Sequence, residues 1–74
     1  MKIENIGLTV KQVRKVSGLT QLQLAQLAGV GKASVFDIEK GKETVQLKTL
    51  MSVLDTLNIK MKLESPLEEY DENS

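Results

Sequence analysis

The run Thr20-Gln21-Leu22-Gln23 and the glycine at position 29 bracket one short segment, and together they restrict the fold of this chain more than any other feature. In a Thr-x-x-Gln pattern the threonine hydroxyl accepts from the Gln23 N–H while the Gln23 amide oxygen accepts from the Thr20 N–H, so donors orphaned at a helix start are satisfied reciprocally. Leu19 and Leu24 fall at the flanking apolar staple positions. Gly29 supplies the left-handed residue that ends the helix and turns the chain sharply. Leu24, Leu27 and Ala28 are the expected inner face, and Ala25 is the small residue that a close helix crossing requires.

Periodicity places further helices on either side. Ile6, Val10 and Val13 stand at i, i+4 and i+7, which predicts a first helix over 6–16 stopped by Ser17-Gly18. Gly7 weakens its first turn by ~1 kcal/mol relative to Ala, and β-branched Thr9, Val10 and Val13 lower its propensity, so tertiary packing must hold it. Gly31 serves as N-cap for a short third helix that buries Val35 and Ile38 and ends at Lys40-Gly41. Thr44-Val45 leads into a fourth helix striped by Leu47, Leu50, Met51, Leu54 and Leu57 and closed by Asn58.

The period then changes from helical to alternating. Ile59, Met61 and Leu63 alternate with Lys60, Lys62 and Glu64, the pattern of a half-buried strand over 59–64. A lone strand must pair, either with a short N-terminal segment such as residues 2–4 or with its own copy in a second chain. A chain of 74 residues with two aromatic rings, Phe36 and Tyr70, and no cysteine has a core worth only about 3–5 kcal/mol net, which favours the homodimer. The expected organisation is a helical domain over 1–58, a dimerisation strand over 59–64 and an acidic, disordered tail over 65–74.

Zero net charge conceals a partition. All ten Lys and Arg lie in residues 1–63 with Glu4, Asp37, Glu39, Glu43 and Asp55, whereas Glu64, Glu68, Glu69, Asp71 and Glu72 crowd the C-terminus without a base. The tail reads first as a solubilising extension, with a contact for a basic protein surface or a proteolysis handle as the alternatives. Without Cys or His, thiol nucleophiles, disulfides, zinc sites and the usual general base are excluded, and Ser17, Ser34 and the carboxylates form no nucleophile-base pair. No enzyme, cofactor or metal is expected. No apolar run approaches the roughly 20 residues of a membrane span and the start lacks a signal h-region, so a cytoplasmic location is expected.

The set Gly18-Leu19-Thr20-Gln21, Leu24-Ala25, Ala28-Gly29-Val30, Ser34-Val35 and Ile38-Glu39-Lys40-Gly41-Lys42 resembles the helix-turn-helix of the Xre and lambda-repressor-like superfamily over residues 6–58. The resemblance implies an all-α bundle of four to five helices whose third helix enters a DNA major groove while the first turn of the second meets phosphate. Matched position by position, Lys32, Ala33, Phe36 and Asp37 face base edges. Lys32 would reach guanine, Ala33 and Phe36 thymine methyls, and Asp37 the cytosine amine. Thr20, Gln21, Ser34, Lys40 and Lys42 would meet the phosphate backbone. Phe36 has a second reading, packing against the fourth helix or a neighbouring loop. Asp37 departs from the Arg or Lys of many relatives, and a carboxylate in the groove repels phosphate. Glu39 is assigned a structural bond to the first helix, with Arg14 as partner.

The run from Val35 to Val45, then Leu50, Val53, Leu54, Leu57, Asn58 and Ile59 and a terminal strand, is similar to HipB-type antitoxins. That similarity implies a nucleoid-associated homodimeric repressor, joined through Ile59, Met61 and Leu63, which binds a palindromic operator in double-stranded DNA and a HipA-like serine/threonine kinase toxin. The alternatives are a toxin-neutralising interaction module with weak DNA binding and a solitary phage-type repressor.

Overall fold

The computed structural model describes residues 3–62. Four helices follow one another as α1 (Ile3–Val16), α2 (Gln21–Ala28), α3 (Lys32–Glu39) and α4 (Leu47–Thr56). Helix α1 begins ahead of the expected start at Ile6. Among the described residues no helix is long and apolar enough to cross a membrane.

The local signals around α2 form as the chemistry requires. Thr20 has extended backbone, its Oγ1 accepts from the Gln23 N–H at 3.0 Å, and its own N–H donates to Gln23 Oε1 at 2.8 Å. Gly29 is left-handed at φ 71°, and the Val30 N–H then donates to the Ala25 carbonyl at 2.9 Å, which closes the helix end. Gly31 caps α3 with extended backbone and no side-chain bond. Asn58 closes α4 with φ 58°, a conformation that asparagine tolerates better than most side chains, and the Ile59 N–H donates to the Leu54 carbonyl at 2.8 Å.

Val10, Leu24, Val35 and Val53, one from each helix, are completely buried and meet at the centre, with Ala25, Ile38, Leu50, Leu54 and Leu57 around them. Burial of each such aliphatic side chain contributes about 1.5–3 kcal/mol. Two expected faces need correction. Leu27, placed on the inner face of α2, is 65% exposed, because Leu24 and Ala25 turn inward and small Ala25 lets α2 approach the core on that edge. On α4 the buried stripe is Leu50, Val53, Leu54 and Leu57, while Leu47 and Met51 are exposed. The i, i+3, i+4, i+7 set centred on Val53 fits one face better than the stripe read from the leucines.

The third correction concerns the strand expected over 59–64. Ile59–Lys62 adopt no regular element, and Leu63 and Glu64 lie outside the described residues, as does the tail. The physical reason is the one that made a strand demand a partner: one chain offers these residues no second strand among its described elements. Ile59 and Met61 are half-buried instead, packed against the helical core.

Two contacts fix α1 against α3. Gly7 is buried, and a Cβ built on it would stand 2.3 Å from the Ile38 carbonyl oxygen and 3.1 Å from that of Glu39, so the two backbones touch where only glycine fits. Seven residues on, Arg14 grips Glu39 from two sides, Nε donating to Oε2 at 2.6 Å and Nη2 to Oε1 at 3.0 Å. Arg14 Nη1 donates to the Leu19 carbonyl at 2.9 Å, which ties in the chain entering α2. The pair is nearly dry, with side chains 10% and 5% exposed. The hydrogen bond that Arg14 donates to Glu39, opposed by desolvation and aided by the carboxylate's charge, raises the Arg14 pKa. A raised base contributes stability that is complete below its ordinary value and lost only at still higher pH, so Arg14 remains charged throughout the neutral range.

Gly7→Ala should lower stability by about 1–3 kcal/mol despite alanine's better helix propensity, seen as a reduced thermal midpoint by circular dichroism. An unchanged or raised midpoint would contradict the close approach. Arg14→Ala leaves the Glu39 carboxylate dry without its cation and should cost about 3–5 kcal/mol in urea unfolding, enough to leave much of the chain unfolded.

Candidate nucleic-acid interface

The exposed face of α3 is decided by what the helix buries. Val35 and Ile38 turn inward, which leaves Lys32, Ala33 and Phe36 exposed and Asp37 half-buried on the outward side. A helix with its side chains is about 10–12 Å across, close to the ~12 Å width of a DNA major groove. The four residues read as base-facing therefore share the accessible side of the element whose N-terminus follows directly on the Gly29-Val30-Gly31 turn.

The Phe36 side chain faces outward. The ring is 47% exposed, and the Lys40 ammonium lies 5.3 Å from its centroid in a cation–π arrangement. Asp37 is engaged as well. Its Oδ2 lies 3.6 Å from Lys42 Nζ, so a lysine beyond the end of α3 offsets the carboxylate that sequence reasoning set against phosphate. Ser34 is half-buried and borders, with Asp37, Lys42 and Gln46, a shallow polar depression between α3 and the start of α4. Thr20 is exposed at the start of α2, its hydroxyl oxygen occupied by the cap.

Gln21 carries a bond that the sequence did not announce. Its Nε2 donates to Glu39 Oε1 at 3.2 Å, so the first residue of α2 joins the Arg14–Glu39 pair. Around this group lies a second depression, bordered by Lys11, Lys15, Gln21, Phe36 and Lys40. Lys11 and Lys15 were not singled out from the sequence. Their signal was present, two lysines at i and i+4 on the outer side of α1, but only packing shows that this side opens beside α2 and α3.

Ile59 and Met61 sit elsewhere. They border an apolar groove with Ile6, Thr9 and Leu54, and Ile6 and Thr9 lie on roughly the opposite side of α1 from Lys11 and Lys15 at about 100° per residue. Leu63, the third residue assigned to dimerisation, lies outside the described residues. The chain thus presents two separate surfaces, a lysine-rich face around α3 and an apolar groove behind it. Cations bordering an exposed helix suit a polyanion with a readable groove, and the paired side chains on that helix limit which base edges it can meet.

Comparison with known proteins agrees with this geometry. Residues 10–63 match the family HTH_3, described as Helix-turn-helix. The chain is 41% identical over 62 residues to the HTH-type transcriptional regulator y4mF of Sinorhizobium fredii (strain NBRC 101917 / NGR234), covering 84% of this chain and 82% of that one. It is 36% identical over 56 residues to the immunity repressor protein of Bacillus phage phi105, covering 76% of this chain and 39% of the phage protein. It is 27% identical over 73 residues to the antitoxin PezA of Streptococcus pneumoniae serotype 4 (strain ATCC BAA-334 / TIGR4), covering 89% of this chain and 46% of PezA. The chain therefore spans less than half the length of the last two. Among solved structures, a chain of the HipA-HipB-O2-O3 complex superposes with a TM-score of 0.79 at 26% identity, over 89% of this chain and 93% of that one. A chain of a HipB-O4 20mer complex matches with the same TM-score, identity and coverage. With the fold, the exposed α3 face and these matches in agreement, the chain belongs to the Xre-type helix-turn-helix family of transcriptional regulators.

Proposed function

We propose that this regulator is a homodimeric, sequence-specific repressor that serves as the antitoxin of a HipA-like serine/threonine kinase and represses its own operon from a palindromic operator, in the cytoplasm on the nucleoid. The observation that carries the reading is the superposition of nearly the whole chain on HipB-containing complexes, together with an exposed α3 face bordered by lysines. In this reading Lys32, Ala33, Phe36 and Asp37 meet base edges, and Thr20, Gln21, Ser34, Lys40 and Lys42 meet phosphate, joined by Lys11 and Lys15. Two copies of α3 about one helical turn apart, ~34 Å, read the two half-sites. The apolar groove beside Ile59 and Met61 supports a second copy as the dimer partner, with the alternating residues 59–64 pairing across the two-fold axis. The match to a phage immunity repressor favours a second reading, a solitary repressor without a kinase.

An affinity pull-down of the tagged chain from its native cells tests these readings, with captured proteins identified by mass spectrometry and captured DNA sequenced. A HipA-like kinase together with the chain's own promoter is the expected result. Promoter without kinase would leave the solitary repressor, and kinase without enriched DNA would leave a protein neutraliser.

Substitutions on the lysine-rich face should divide into two classes. Lys40→Ala should weaken binding to all duplexes nearly uniformly and lower the salt-dependence slope by about 1, and Lys11→Ala should do the same. Lys32→Ala should relax preference at one base pair, at a cost of ~1–3 kcal/mol there. Equal losses on specific and random DNA for all three would refute the division. Removal of residues 59–74 should weaken dimerisation and operator binding together, and a truncated chain that sediments as a dimer with unchanged affinity would rule out the strand interface.

A further inference from the structure

The Arg14–Glu39 pair has a third member whose chemistry the fold does not require. Glu39 Oε2 accepts from Arg14 Nε, while Oε1 accepts both from Arg14 Nη2 at 3.0 Å and from Gln21 Nε2 at 3.2 Å. Ionised, a carboxylate only accepts, so the reversed amide would set the Gln21 carbonyl oxygen against a negative charge. One orientation of the Gln21 amide is therefore selected: nitrogen toward Glu39, with one of its two N–H groups engaged and the second left over. Gln21 is half-buried and borders the same depression as Lys11, Lys15 and Lys40, where an anion would meet three ammonium groups.

We propose that Glu39, itself held by Arg14, is a positioning residue for DNA binding: it fixes the Gln21 amide so that the remaining N–H is presented to a phosphate oxygen among Lys11, Lys15 and Lys40. This rests on the DNA-binding reading above. The gain is preorganisation. A free glutamine loses rotamer freedom when a ligand immobilises it, whereas this one is already held, and the charged acceptor polarises its amide into a better donor. Bidentate pairing with Arg14 offsets the Glu39 charge, which would otherwise repel the phosphate.

The test is a double-mutant cycle of Glu39→Gln and Gln21→Ala, with affinity for a short random-sequence duplex measured on folded protein. The carboxamide that Glu39→Gln introduces can present either N–H or C=O to Gln21 and no longer dictates its orientation. The loss of charge acts in both backgrounds and cancels in the cycle. The expected result is that Glu39→Gln weakens binding about 3–10-fold more with Gln21 present than with Ala at that position. Gln21→Ala alone should leave the salt-dependence slope unchanged, because no charge is removed. Equal factors in the two backgrounds would show a purely structural Glu39 and overturn the proposal.

Should Glu39→Gln not fold, nuclear magnetic resonance of the unsubstituted chain decides. Gln21 side-chain amide protons that exchange with water more slowly than those of the exposed Gln12 and Gln26, and that shift on adding the duplex, are expected, and an amide that exchanges as fast as those two overturns the proposal. If the unsubstituted chain binds no duplex while that amide is still held, the DNA-binding reading is what fails.

Discussion

Three helices are referred to one another through the Arg14 guanidinium, and the remaining packing is arranged around that junction. Two of its nitrogens grip Glu39 at the end of α3 and a third holds the Leu19 carbonyl ahead of α2, while α1 carries the residue itself. A dry ion pair recovers little net stability over an apolar pair of the same shape, since desolvation consumes most of the Coulombic gain. Its value lies in geometry. Planar, bidentate pairing admits one relative placement of α1 and α3, and Gly7 allows the two backbones to close to that placement at the other end of the contact. Van der Waals packing of Val10, Leu24, Val35 and Val53 supplies the energy, and the polar junction selects one among the arrangements such a small aliphatic core could adopt.

That division of labour explains how a chain with so few large side chains presents a defined surface. Helix α3 has only eight residues and no side-chain cap, and it would not be stable alone in water. Its orientation is imposed from behind by Val35 and Ile38 and from its C-terminal end by Glu39. The outward residues are ordered in turn by short-range pairing, Phe36 under Lys40 and Asp37 beside Lys42. Two cations just past the end of α3 are thus paired with two outward residues of that helix, and the carboxylate of Asp37 stands beside a positive charge rather than alone.

Much of this was legible without coordinates because the signals are local. A capping box, a left-handed glycine and an asparagine stop act within a few residues, so Thr20, Gln23, Gly29 and Asn58 could be assigned from chemistry alone. The bond between Glu39 and α1, with Arg14 as partner, was also read from the sequence, and it forms. Side-chain burial was less legible where two faces were equally apolar. On α2 and α4, counting bulky apolar residues favoured Leu27, Leu47 and Met51, whereas packing leaves all three exposed and buries Val53, since close approach rewards small and branched residues over bulk.

The sequence by itself determined where α2 begins and where the helices end, and the separation of a basic body from an acidic tail, because capping, periodicity and charge act through neighbours along the chain. Only the tertiary structure decided that Gly7 is a point of backbone contact rather than a weak spot in α1, that Lys11 and Lys15 share a depression with Gln21 and Lys40, and that Phe36 faces outward. Those facts depend on how helices cross. Crossing is set by the simultaneous fit of side chains distant in sequence, and no pattern read along one chain records it.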